Sequence, residues 1–172
     1  TARFNSRVGE TFTIPEGHIL KETAKIFDLQ NPDAKMSKSA DTEAGLLKIL
    51  DDPAVTAKKV MRAVTDADGG IRFDRANKAG VSNLLTIFSV LSGRSVDDLV
   101  AEYAGGGYGT LKKDLAEQVT ASFTPIRERT LELLADPAEL DRILSKAADR
   151  ASEGADKTLA AVYDRVGLLP RS

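Results

Sequence analysis

From residue 41 to the end of the chain, apolar residues recur at helical spacing almost without a break. A chain patterned this way presents one apolar stripe per element. It can bury those stripes only by packing helix on helix. Ala57, Val60, Met61 and Val64 fall at i, i+3, i+4 and i+7, with Asp52 placed to cap the helix and Pro53 at its first position. Leu84, Ile87, Phe88 and Leu91 repeat the spacing before Gly93, a C-terminal stop. Leu85 and Val90 make that helix apolar nearly all round, which predicts a central position. Ser95 caps Val96 to Ala104, with Asp98 at the capping-box position. A long helix carries Leu111, Leu115, Val119, Phe123, Ile126 and Leu133, and Pro125 should kink it. Asp136 caps a last long helix with Leu140, Ile143, Leu144, Ala147, Ala151, Leu159, Val162 and Val166 turned inward. Gly154 is a weak spot or a close helix crossing in it. A shorter helix, capped by Asp41 or Thr42, is predicted to reach Leu50. Connectors fall at residues 66–80, at Gly105-Gly106-Gly107 and at Asp136-Pro137. The expected fold is mainly α, an antiparallel helical bundle.

Residues 1–40 read differently. Gly9, Pro15, Gly17 and Pro32 break them up, and Thr11-Phe12-Thr13-Ile14 is a β-type run, so short strands and loops are expected there. Pro15 to Phe27 has room for a helical turn or more. The predicted organisation is therefore a segment 1–40 feeding a helical domain 41–172. With 172 residues and 42% hydrophobic composition, the chain can bury a core without staples. It has no cysteine, so disulfides, thiolate metal sites and cysteine nucleophiles are excluded. Its one histidine, His18, cannot build an imidazole metal cluster and argues against an imidazole-centred triad. Lys plus Arg is 24 against 26 Asp plus Glu, which excludes a strongly basic nucleic-acid coat but leaves room for a local phosphate site. No apolar run approaches a membrane span and no signal peptide opens the chain, so the composition permits a cytoplasmic location. The start at Thr-Ala-Arg-Phe-Asn lacks a Met, and a longer parent protein is expected.

Chemistry concentrates in Lys35-Met36-Ser37-Lys38-Ser39. Two cations stand three residues apart, with hydroxyls between and after them. A loop of this type can wrap a polyphosphate, the ammoniums acting as mobile point charges and the hydroxyls and backbone amides donating to oxygens. It is most useful in phosphoryl or nucleotidyl transfer if it grips hardest as charge builds on a leaving pyrophosphate. On composition alone, a solvated Lys/Ser loop explains the same residues.

The string Lys35-Met36-Ser37-Lys38-Ser39 resembles the signature loop of class I aminoacyl-tRNA synthetases. Its setting resembles the C-terminal part of a bacterial tryptophanyl-tRNA synthetase: Arg3-Phe4-Asn5, Gly9-Glu10-Thr11-Phe12, Pro15-Glu16, Leu29-Gln30-Asn31-Pro32, then Lys58-Lys59, Ala63-Val64-Thr65-Asp66 and Gly80-Val81-Ser82-Asn83-Leu84-Leu85. The ordered series is densest over residues 3–93 and favours the tryptophan enzyme over its tyrosine relative. The resemblance implies that residues 1–40 are the end of a Rossmann catalytic domain and residues 41–172 an anticodon-binding helical domain. It implies catalytic roles for Lys35 and Lys38 at the phosphates of ATP, hydrogen bonding from Ser37 and Ser39, an anchoring role for Met36, and Ile26 packed against adenine. A plain core isoleucine is the other reading of Ile26. ATP is implied as substrate, with Mg2+ accompanying it, and no protein metal site. The implied partners are tryptophan, ATP and tRNA(Trp), with no membrane; the full enzyme would be a homodimer, and a fragment could be monomeric.

The sequence also departs from the family pattern. Asp28 precedes Leu29-Gln30 where Ser is usual, and Asn31 replaces Asp before Pro32. Ala34 stands where another Lys is common, Ala40 where Asp follows, and Ala79 replaces Pro before Gly80. The family's first nucleotide-binding signature is absent, and His18 lacks its context; it is expected partly exposed. The amino-acid pocket is therefore expected upstream of Thr1, and the isolated chain is expected to be inactive. Gly105 to Gly109 reads as a connector, and Asp66, Asp68 and Asp74 as turn and cap residues. Lys58, Lys59, Arg62, Arg72, Arg75 and Lys78 form a local positive excess that suits RNA phosphates under the resemblance and a solvated face without it. Tyr103, Tyr108 and Tyr163 are expected in core or rim packing. The rival reading is a stand-alone helical RNA-binding or interaction module without catalysis.

Overall fold

A computed structural model describes residues 1–18, 25–40 and 42–169. Among these are six helices and no strand: α1 (Ala2–Val8), α2 (Pro53–Met61), α3 (Ala79–Ser92), α4 (Val96–Tyr103), α5 (Gly107–Ala135) and α6 (Pro137–Val166). The chain divides into two compact units, Thr1–His18 with Glu132–Ser172, and Ile19–Leu131. No helix among the described residues is long and apolar enough to cross a membrane.

The Ile19–Leu131 unit holds the core. Asp52 caps α2 by accepting the Ala54 amide at 2.9 Å, with Pro53 in the first turn. Gly93 closes α3 in the left-handed conformation, and Ser95 caps α4 by accepting the Asp98 amide at 3.1 Å. The core gathers Leu29, Val60, Ala63 and Ile71 with Val81, Leu84, Leu85, Ile87 and Phe88 of α3, Leu99 and Tyr103 of α4, and Leu111, Leu115, Ala116 and Val119 of α5. In the segment predicted to be most central, Leu84, Leu85, Ile87 and Phe88 are buried. Val90 departs from the prediction and is exposed, as are Met61 and Val64. The apolar arc of each helix is narrower than its composition suggests.

The helix expected from Asp41 or Thr42 to Leu50 does not form; residues 42–50 are turns, tied by Leu46 N–H to Glu43 O and Asp51 N–H to Lys48 O, while Asp41 lies outside the described residues. The helical turn expected within Pro15–Phe27 falls partly outside them too. α5 begins at Gly107, so Tyr108 and Gly109 belong to its first turn rather than to a connector, and it runs on through Pro125.

In the Thr1–His18 and Glu132–Ser172 unit, the expected strands are replaced by α1 and a turn. Asn5 reads that turn with its whole carboxamide: Nδ2 donates to Phe12 O at 2.7 Å, and Oδ1 accepts the Phe12 and Thr11 amides at 3.0 and 3.2 Å. Phe4 and Phe12 meet edge to face at 5.0 Å. Gly9, at φ 96°, ends α1 where a side chain would be strained. Asp136 caps α6 through the Glu139 amide, as predicted. The inward stripe expected of α6 is not buried: Leu144, Leu159 and Val166 are all exposed. His18 is exposed and outside regular structure.

Candidate functional site

The loop predicted to carry chemistry leaves the core on a two-armed footing. Phe27 and Lys35 face each other across an antiparallel bridge. The bonds on either side of that pair are Asp28 N–H to Ala34 O at 2.9 Å and Met36 N–H to Ile26 O at 3.0 Å. Between the arms, Asp28 turns the chain: its Oδ1 accepts the Gln30 and Asn31 amides at 2.7 and 3.0 Å, an Asx turn that its short carboxylate makes possible. Pro32 follows, where its missing amide costs nothing. Leu29 at the turn is 2% exposed and ties the arms to their surroundings, its N–H donating to Gly45 O and its carbonyl accepting Val64 N–H at 2.7 Å. A Cβ at Gly45 would collide with the Asp28 carboxylate, which explains the glycine.

The five residues of the loop divide by burial. Met36 is half-buried and, like Ile26, packs against the hydrophobic core. Lys35 and Lys38 are exposed, with no ion-pair partner among the described residues. Ser37 and Ser39 share a hydroxyl contact at 3.1 Å, and Ala40 N–H donates to Ser37 O at 3.2 Å, a tight turn that puts the Lys38 side chain at its apex. Two free ammoniums therefore stand on a short loop whose methionine is seated in the core. Chemically, such an arrangement can receive a polyanion without first breaking an internal ion pair.

The other cations of the region are divided differently from the expected patch. Lys78 is 1% exposed and donates to Asp66 Oδ1 at 2.8 Å, to Asp68 and to Tyr108 Oη. Burial pushes the Asp66 carboxyl up, but hydrogen bonds from Lys78, Tyr108 and the Asp68 amide outweigh it and hold the group far below the usual carboxylate range. Lys78 moves the other way: burial lowers it, and its bonds to Asp66 and Asp68 raise it more. Arg72 reaches Asp68 and Asp74, and Lys59 donates to Leu46 O and Asp51 at 2.8 and 2.6 Å. Arg75 lies 3.7 Å above the Phe27 ring and donates to Pro32 O and Ala79 O at 3.1 and 3.0 Å. Of the six cations, only Lys58 and Arg62 lack such a partner among the described residues; with Gln30, Ala44, Val55 and Lys59 they line a notch of about 370 Å³.

Sequence reasoning missed two groups that contact the loop's footing. One is Arg75, counted above with the surface cations. The other is Asn83, which is 2% exposed within α3, accepts Phe27 N–H on Oδ1 at 2.9 Å and donates from Nδ2 to Phe27 O at 2.8 Å. A carboxamide within the most apolar helical run of the chain was the available signal.

The model for tRNA synthetases class I (W and Y) matches residues 1–124. The chain is 59% identical to the tryptophan–tRNA ligase of Leifsonia xyli over 97% of its own length and 50% of that protein's. It is 45% identical to the Bacillus subtilis tryptophan–tRNA ligase over 96% of the chain and 50% of that protein. Among solved structures, tryptophanyl-tRNA synthetase from Mycoplasma pneumoniae superposes with a TM-score of 0.85 at 28% identity, covering 98% of this chain and 53% of that one. The Campylobacter jejuni enzyme complexed with ADP and tryptophan gives a TM-score of 0.61 at 31% identity, covering 97% and 51%. The chain spans about half the length of the curated relatives it matches. With its Lys35–Ser39 loop and a family match over residues 1–124, the chain belongs to the class I tRNA synthetases of the W and Y type.

Proposed function

We propose that the chain is the C-terminal half of a tryptophan–tRNA ligase and supplies the pyrophosphate-side loop of tryptophan activation together with a helical domain for the tRNA anticodon. In this reading residues 1–40 close the Rossmann catalytic domain and residues 41–172 form an anticodon-binding bundle. The enzyme works in the cytoplasm as a homodimer built through its other half. The observation that carries the reading is the pair of exposed, unpartnered lysines on a core-anchored turn, set in a chain of this family.

In the reaction, a tryptophan carboxylate oxygen attacks the α-phosphorus of ATP. A new P–O bond forms as the bond from that phosphorus to the pyrophosphate oxygen breaks, and the aminoacyl group later passes to the tRNA 3′ end. Lys35 and Lys38 hold the negative charge that builds on the departing pyrophosphate, and Ser37 and Ser39 donate to its oxygens. Met36 keeps the loop seated, and Ile26 offers an apolar face to the adenine while still packing on the core. Magnesium would accompany the nucleotide and further neutralise the charge of its phosphates.

The test is Lys38→Ala in the full-length enzyme. Tryptophan-dependent ATP–pyrophosphate exchange should slow by about a hundredfold or more, with ATP affinity changed far less, because the lysine acts on charge developed in the transition state. A large loss of ATP affinity with an unchanged chemical step would refute the assigned role.

A further inference from the structure

In an antiparallel ladder, a facing pair without mutual hydrogen bonds turns its N–H and C=O groups away from its partner strand. Phe27 and Lys35 are such a pair, since the flanking bonds belong to Asp28–Ala34 and Met36–Ile26. The outward N–H and C=O of Phe27 therefore need partners of their own, or the footing carries two unpaired backbone groups beside the core. A third strand would normally supply them. Here one side chain does: the Asn83 carboxamide offers an acceptor and a donor in one plane and takes both groups, at 2.9 and 2.8 Å.

Asn83 stands 56 residues away in the most deeply buried helix, where leucine would have higher helix propensity and no desolvation cost. Its position is explained by the demand of Phe27. Arg75 adds a second hold on the same arm. Its guanidinium covers the Phe27 ring and its fork holds Pro32 O, so the arm and the turn are fixed together. The two arms carry Ile26 and Met36 on one side of the footing and lead directly into Lys38.

We infer that Asn83, assisted by Arg75, is the positioning residue of the Lys35–Ser39 loop: it sets the register of the Ile26–Phe27 arm on which the loop is hung and so places the two lysines against the nucleotide phosphates. This deepens the synthetase reading and rests on it. Neither side chain touches ATP; both act through the backbone of Phe27 and the turn that follows.

The test has two arms. In the 172-residue chain, Asn83→Ala should raise amide hydrogen exchange at Phe27 and Met36 by about tenfold or more, while Leu84 and Leu85 in α3 keep their protection. In the full-length enzyme, the same variant should lower the rate of tryptophan-dependent pyrophosphate exchange about ten- to a hundredfold, with ATP affinity nearly constant. Combined with Lys38→Ala, the losses should be clearly less than multiplicative, because a mispositioned lysine has less left to lose. Leu115→Ala, a core truncation remote from the loop, provides the contrast: its effect should multiply with that of Lys38→Ala. If Asn83→Ala loses α3 protection, Arg75→Met decides the matter, since it keeps an apolar contact on Phe27 and removes the bond to Pro32 O. Multiplicative losses for Asn83→Ala, or for Arg75→Met in its place, would overturn the inference, as would unchanged exchange at Phe27 and Met36. A wild-type full-length enzyme with no tryptophan-dependent exchange would instead sink the synthetase reading, and the catalytic half of this inference with it.

Discussion

Gly80 and Gly154 both lie within helices of this chain, and they should respond to the same substitution with opposite signs. Gly80 is in the first turn of α3. A Cβ built there overlaps the Val64 carbonyl, which is backbone and has little freedom to retreat. Val64 N–H is held by Leu29 O at 2.7 Å, and its neighbours Ala63 and Thr65 are held by Lys112 Nζ at 2.8 and 3.1 Å. Overpacking against such a tied segment costs about 3 kcal/mol, the upper end of the usual range. Replacing glycine by alanine in a helix returns about 1 kcal/mol. The net expectation for Gly80→Ala is a loss of about 2 kcal/mol, or roughly 10 °C in the midpoint of a unit this size. Gly154 in α6 has nothing within 4 Å of its would-be Cβ, so only the propensity gain of about 1 kcal/mol remains. Circular dichroism melts of the 172-residue chain are the assay. Gly154→Ala should raise helicity at 222 nm without moving the main transition, while Gly80→Ala should lower that transition. A Gly80→Ala chain that melts at or above the wild type would refute the claim that α3 is packed directly on the 63–65 backbone.

Two further expectations concern the same unit. Leu115 of α5 is fully buried in the core, and Leu115→Ala should cost about 3 kcal/mol in urea unfolding; a cost under about 1 kcal/mol would mean that the core there is looser than its burial implies. The Asp66 carboxyl is held below its unfolded value, so its stabilising contribution is complete above about pH 4 and is lost as the pH falls through the lower folded value. Asp66→Asn should therefore be less stable than the wild type at neutral pH, with the gap in urea midpoint closing below pH 4; a gap that stays constant down to pH 2 would contradict the sign of the shift.

The elements that could be read from sequence were those whose signals are local. Asp52-Pro53, Gly93, Ser95 and Asp136 each act within one turn of chain, and each stands where the cap or stop was expected. The spacing of apolar residues located α3 and α5 for the same reason. Periodicity alone could not say how much of a stripe would be covered. Val60 and Met61 are neighbours in one apolar face, yet the first is buried and the second exposed. The stretch 42–50 has helix-forming residues but is recruited instead to hold Leu29 through Gly45 and Lys59 through Leu46, and those long-range bonds outweigh its propensity. The predicted strand at Thr11–Ile14 failed because Asn5 supplies the hydrogen bonds a neighbouring strand would have provided. The loop lysines were legible because they stand in an unbroken string. Asn83 and Arg75 were not, because their roles depend on Phe27, 56 and 48 positions earlier in the chain.

Under the proposed function, the division of cations in the loop's unit gives a physical reason why so balanced a chain could hold a polyphosphate. Its 24 basic residues are outnumbered by 26 acidic ones, so no long-range field draws an anion in. Binding must come from charges left free at one place. Lys59, Arg72, Arg75 and Lys78 are each committed to carboxylates, carbonyls or a ring within the unit, and in that state they hold turns and arms rather than ligand. Lys35 and Lys38 are left uncommitted, one at the footing of the loop and one at its apex. Removing the Arg75 commitment to Phe27 and Pro32 should therefore be felt at the loop as a change of geometry rather than of charge. If Lys35 and Lys38 hold nucleotide phosphates as proposed, added salt should weaken that contact, made by exposed and screened charges, far more than it weakens the Lys78–Asp66 pair, whose lysine is buried.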